Sequence, residues 1–163
     1  MKRLAFFLVL LCTLCFFGCQ GQNYDILSYQ NKNISAICTL NDEYKIKVER
    51  KNDLSSVSFL EPKELKSVIF TLKNDELSAL AGEVNIPLSK ENADGIYAIL
   101  NMFSLDTATV KTAKDDGEFD VLEFDTEIGL YTLLMGENNL PSKIIISGDG
   151  YFFEILIDEI SLS

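Results

Sequence analysis

Apolar and polar residues alternate with a period of two along most of the chain from Asn33 onward. In residues 43–50, Tyr44, Ile46 and Val48 face one way, and Glu43, Lys45, Lys47 and Glu49 face the other. A strand with one wet face belongs to an antiparallel sheet. Asn41-Asp42 turns this strand back onto residues 34–40 as a hairpin. Lys51-Asn-Asp53 leads into residues 54–60, where Val57 and Phe59 alternate with serines. Strands 68–72, 76–81 and 84–88 follow Glu61-Pro62, parted by the turns Lys73-Asn-Asp75 and Gly82. Later strands cover 107–113, 119–125, 130–135, 142–147 and 151–158, with turns at 115–117, 136–141 and 148–150. That makes about eleven strands, joined almost everywhere by hairpin-length turns, so the connectivity is a meander.

One interval breaks the rhythm. Asp94 is placed to cap a helix beginning at Gly95, and Ile96, Ile99, Leu100 and Phe103 recur at helical spacing. About three turns of helix are marginal alone and need a sheet to lie on. A second, shorter helix is expected around residues 24–30. The fold class is therefore mainly β with two helices. Residues 144–146 and 151–157 are apolar on both faces, which suits the middle of the sheet or strands that helices cover.

The first residues follow a different pattern. Lys2 and Arg3 precede an uncharged run of 14 residues from Leu4 to Phe17. A cationic start and an apolar stretch are the layout of an export signal. The run gives only about 21 Å of helix, and a bilayer core of about 30 Å asks for more. It ends in Phe16-Phe17-Gly18-Cys19, which resembles a bacterial lipobox, with Phe16 where leucine is usual and Phe17 bulkier than the common small residue. The resemblance implies that residues 1–18 are a signal peptide and that Cys19 receives the lipid, palmitate among its acyl chains. Residues 19–23 are then a short tether, and residues 24–163 form one domain. Two acyl chains anchor stably where one is marginal, so the expected location is the extracytoplasmic side of a cell membrane or envelope.

Composition narrows the rest. Without residues 1–18 the chain keeps 145 residues, enough for a domain with a real core. It then carries 12 basic against 25 acidic residues, a formal charge of −13, which argues against nucleic acid and anionic lipid surfaces. A solvated surface accounts for acidic pairs such as Asp115-Asp116 and Asp158-Glu159, with cation binding the alternative. Cys12 and Cys15 leave with the signal and Cys19 is consumed by lipid, so Cys38 has no disulfide partner within the chain. In the strand-like run 34–40 it reads as a small buried hydrophobe.

The chain has no histidine and no tryptophan, which excludes Ser-His-Asp and Cys-His arrangements and histidine-based zinc sites. Gly148-Asp-Gly150 reads as a hairpin turn, not a phosphate loop. Asp115, Asp116, Asp120, Glu123 and Asp125 fall on a hairpin with alternating faces, a poor arrangement for paired acid and base work. No catalytic residue, metal or cofactor is expected.

Residues 59–77 read in outline as strand, Pro62, Leu65, then strand, turn and strand. With the order helix, strands, internal helix, strands, this resembles the lipoprotein-localisation (LolA/LolB-like) superfamily over nearly the whole mature chain. The resemblance implies a strongly curved antiparallel sheet, an unclosed β-barrel, with helices on the concave face and a lipid or acyl chain bound between them. Tyr44, Ile46, Val48, Val57, Phe59, Val68, Phe70 and Leu72 are then the concave-face candidates, and Ile96, Ile99, Leu100 and Phe103 the lid. The same residues also suit a plain hydrophobic core. An anchored member of such a family suits a receptor, a local lipid handler or a scaffold better than a diffusing carrier. The alternative is a structural or interaction lipoprotein with a self-filled core, docking a protein partner at its acidic surface.

Overall fold

The computed structural model describes residues 29, 32–105, 110–115, 120–136 and 139–163. The first strands are β1 (Ile34–Leu40), β2 (Tyr44–Lys51), β3 (Leu54–Glu61), β4 (Val68–Lys73), β5 (Glu76–Ala81) and β6 (Val84–Leu88). A single turn of 3-10 helix (Lys90–Asn92) and the helix α1 (Asp94–Asn101) follow. The rest of the sheet is β7 (Val110–Asp115), β8 (Asp120–Thr126), β9 (Gly129–Met135), β10 (Pro141–Gly148) and β11 (Tyr151–Leu162). The eleven strands among the described residues form one antiparallel sheet in the order β6-β5-β4-β3-β2-β1-β11-β10-β9-β8-β7.

Local chemistry accounts for the meander. At the tips of β1–β2 and β4–β5, Asn41 and Asp42 (φ 52° and 56°) and Asn74 and Asp75 (φ 49° and 65°) take left-handed conformations, which Asn and Asp tolerate better than other side chains. Gly82 (φ 63°) serves the tip of β5–β6. From β1 the strands β2 to β6 step outward, and β7 to β11 step back inward until β11 pairs with β1. Mutual backbone bonds between Asn33 and Ser163, at 2.9 and 3.0 Å, fasten that closing seam. The outermost strands β6 and β7 are not paired with each other, so the barrel is unclosed. Pro87 lies on edge strand β6 and leaves one backbone donor fewer there, which blunts edge-to-edge pairing.

Because the chain must pass from one free edge to the other, the β6-to-β7 connection carries α1 across the concave side. The helix contacts β3, β4 and β10, and its Ala98 carbonyl accepts a 3.0 Å bond from the Tyr131 hydroxyl on β9. In a flat sheet β4 and β10 would lie about 24 Å apart, yet a helix about 10 Å wide reaches both. The sheet is therefore strongly curled around it. Gly95 makes the close seating of the helix N-terminus feasible, since a Cβ there would lie 2.9 Å from the Phe153 ring.

Two expectations need correction. Asp94 is the first residue of α1 and does not cap it; Ala93 holds the cap position without a side-chain bond. A carboxylate in the first turn still faces the positive end of the helix dipole. The helix is also shorter than expected, so Phe103 lies in the turn beyond it. The helix expected at residues 24–30 falls outside the described residues except for Tyr29, as does Cys19. Strand β11 runs on to Leu162 because β1 offers pairing partners as far as Ile34. The strands expected in the middle, β10 and β11, do lie inside the sheet order.

Candidate ligand-binding face of the sheet

Residues paired across neighbouring strands share a face, so the register maps the concave side directly. One row runs Val48, Val57, Phe70, Ala79 and Ile86 from β2 to β6. The next begins with Ile46 and Phe59 and continues, in step, through Val68, Ala81 and Val84. Burial falls outward along both, except that Ala79 on β5 is still buried. Ile46 and Val48 are sealed, Phe59, Val68 and Phe70 are half-buried, and Ile86 and Val84 are 44 % and 61 % exposed. Tyr44, Phe59 and Phe70 form a chain of edge-to-face rings with centroids 6.0 and 6.4 Å apart.

The twelve candidates thus divide. Ile46, Val48, Val57, Leu72, Ile99, Leu100 and Phe103 are buried in the core, together with Ala98 and Met102. Of the four lid residues only Ile96 remains partly exposed. Ile99, Leu100 and Phe103 pack inward and fill the concavity, because a helix this short is held only by burying one whole face. Tyr44, Phe59, Val68 and Phe70 instead line an apolar strip, which continues onto Ala81, Val84 and Ile86. Four strand spacings give it a length of about 19 Å.

Polar groups hold the helix segment over the filled part. Arg50 follows Val48 onto the concave face and is 7 % exposed. Its guanidinium donates to the carbonyl of Phe103 and, at 2.9 Å each, to those of Tyr29 and Lys32. It joins the turn after α1 to the segment before β1, while burial lowers its pKa. Tyr29 packs edge-on against Phe103 at 6.2 Å, and burial raises the pKa of its hydroxyl. At the other side, Lys90 donates to Asp75 (3.2 Å) and to the Tyr97 hydroxyl (3.0 Å), and Tyr97 donates to Asp75 (3.2 Å). This exposed triad ties the β4–β5 turn to α1. The hydrogen bonds from Lys90 and then Tyr97 hold the Asp75 carboxyl below its usual pKa. A recess of about 580 Å³ lies between α1 and the β8–β9 turn, lined by Tyr97, Asn101, Leu105, Asp125 and Ile128 among others.

No protein-family model and no curated protein matches the chain. Among solved structures it is similar to a conserved protein of Thermus thermophilus described as uncharacterized, with TM-score 0.48, 13 % identity and coverage of 85 % of this chain and 84 % of that one. A domain from Vibrio parahaemolyticus named for outer-membrane lipoprotein sorting gives 0.46, 11 %, 82 % and 86 %. A LolA superfamily protein from Nitrosomonas europaea gives 0.44, 16 %, 81 % and 84 %. These are likenesses of chain path and carry no residue role across.

The sequence missed Arg50 and the Asp75–Lys90–Tyr97 triad. Alternation alone puts Arg50 on the same face as Ile46 and Val48, a legible signal; nothing local links Asp75 to Tyr97. Cys38 is fully buried, and burial pushes its thiol up to about 12, as an inert core residue requires. Among the described residues no group of three His, Cys, Asp or Glu side chains is placed to hold a metal, and no helix is long and apolar enough to cross a membrane.

Proposed function

We propose that this chain is a non-enzymatic lipoprotein of the bacterial cell envelope, anchored through Cys19, which takes up an acyl chain along the open concave strip. The observation that supports it is the burial gradient from Ile46 and Val48 to Val84 and Ile86 on one sheet face. An exposed apolar surface continuous with the core gains free energy when covered, at about 25 cal/mol per Å². The strip accommodates most of a palmitoyl-length chain laid across the strands. Its rings and aliphatic carbons offer no hydrogen bonds apart from the Tyr44 hydroxyl at one end, so the recognition is of hydrocarbon and not of a headgroup.

A self-filled structural module is the second reading, favoured by the complete burial of Ala98, Ile99 and Leu100. Native mass spectrometry of the chain lacking Cys19, after incubation with a palmitoyl phospholipid, separates the two. The acyl reading expects a one-to-one adduct that is lost when Phe59 and Phe70 are both replaced by serine. A protein that stays bare at every lipid ratio sinks it and leaves the self-filled module.

A further inference from the structure

The open strip has two unlike ends. Inward of Tyr44, Ile46 and Val48 the register leads to Leu40, Cys38 and Ala36 on β1, and all three are buried. The row that Leu40 begins stays sealed through Ile155, Ile144, Leu133 and Leu122, from β11 to β8. The edge-to-face rings of Tyr44, Phe59 and Phe70 stand at the border of this sealed part. Outward, the row of Phe59 and Val68 passes to Ala81 and Val84 on the last two strands, and both are exposed. Among the described residues nothing pairs with the outer side of β6, so the strip runs out into water there.

The charged groups differ in the same sense. At the Tyr44 end the β1–β2 turn carries two exposed carboxylates, Asp42 and Glu43. Glu43 already engages the Tyr44 hydroxyl and raises its pKa. At the β6 end the exposed Glu83 is offset by the exposed Lys66; the β5–β6 turn lies beside that segment, since Gly82 donates to the Ser67 carbonyl at 3.2 Å. An anionic head therefore meets like charge at the inner end and a balanced, hydrated surface at the outer one. Hydrocarbon gains most where cover is deepest, and a polar head loses least where it keeps its water.

We propose that the strip holds a single acyl chain with its methyl end inward, against Tyr44 and Phe59, and its polar head in water beyond β6. This rests on the acyl reading above and adds to it a direction and a ligand class, long-chain acyl compounds with a head of any size. Because the head stays outside, a fatty acid and a lysophospholipid with the same chain compete for the strip about equally. Because the methyl end meets a wall, affinity rises by up to about fourfold for each added methylene. The rise stops once the strip, about 19 Å long, is filled.

The test is nuclear magnetic resonance of the chain with Cys19→Ser, which blocks lipidation, in the presence of stearate carrying a nitroxide near its carboxylate or near its methyl end. The methyl-end label should broaden the amide signals of Tyr44 and Phe59 more than that of Ile86. The carboxylate-end label should do the reverse, and excess unlabelled stearate should relieve both. Palmitoyl lysophosphatidylcholine should displace the probe as well as palmitate does, within about threefold, and Glu43→Gln should leave the affinity for stearate unchanged. The opposite broadening pattern, still relieved by stearate, overturns the direction and leaves the acyl strip standing. So does an affinity gain of about fivefold or more in Glu43→Gln, or a lysophospholipid that fails to displace the probe. If neither label broadens any residue of the strip, the acyl reading itself fails and the inference falls with it.

Discussion

The concave face divides into a filled part and an open part, although both are built from the same alternating strands. Around β1, β2, β9, β10 and β11, the side chains meet Ala98, Ile99, Leu100 and Phe103 and are sealed. Toward the outer edge the pattern continues unchanged in sequence; Leu77 and Ala79 of β5 are still buried, but Val84 and Ile86 of β6 stay in water. The comparison teaches that hydrophobic alternation specifies a face, while cover over that face is a tertiary property. An eight-residue helix cannot cover a sheet of eleven strands, and the remainder stays open.

The filled part should be the more costly to disturb. Phe103→Ala removes a sealed ring from beneath Arg50 and should cost about 3–5 kcal/mol of unfolding free energy, read from the urea midpoint. Arg50→Met keeps volume but strands buried carbonyls of Tyr29 and Phe103 without donors; the expected loss is about 2–4 kcal/mol. If either change costs under about 0.5 kcal/mol, the helix segment is not the element that closes this region.

The open part should behave in the opposite way. Replacing Val84 and Ile86 by serine should shift stability by no more than about 0.5 kcal/mol each. A large loss of melting temperature would mean that the strip is a covered core after all.

The smallest effect belongs to the triad between the two parts. The Asp75 pKa is lowered in the folded chain, so its contribution is present above the ordinary carboxylate range and is lost as pH falls through the lowered value. Asp75→Asn should therefore melt slightly below the parent at neutral pH and coincide with it near pH 2. An equal gap at both pH values would show that its charge plays no part.

Much of this was legible in the sequence because antiparallel strands carry their own signals. Tyr44, Ile46 and Val48 face inward as alternation requires, and Asn41-Asp42, Asn74-Asp75 and Gly82 occupy the turns assigned to them. The two-faced apolar character of β10 and β11 correctly placed them inside the sheet. Depth was not legible. Phe59 and Phe70 look no different in sequence from Val48 and Val57, yet the first pair is half-buried and the second sealed. Asp94 looked like a cap because its type and position fit one; the chain enters the helix one residue earlier. Arg50 was readable from parity, but its carbonyl partners lie far away in sequence.

The central claim is that the open strip, and not the sealed core, receives an acyl chain. Titration of a fluorescent fatty acid into the chain and its V84D/I86D variant tests it most directly, since both positions are exposed and the fold does not depend on them. The account predicts saturable one-to-one binding by the parent and at least about tenfold weaker binding by the variant, with equal melting temperatures. Equal affinity in the two proteins, or none in either, would contradict it.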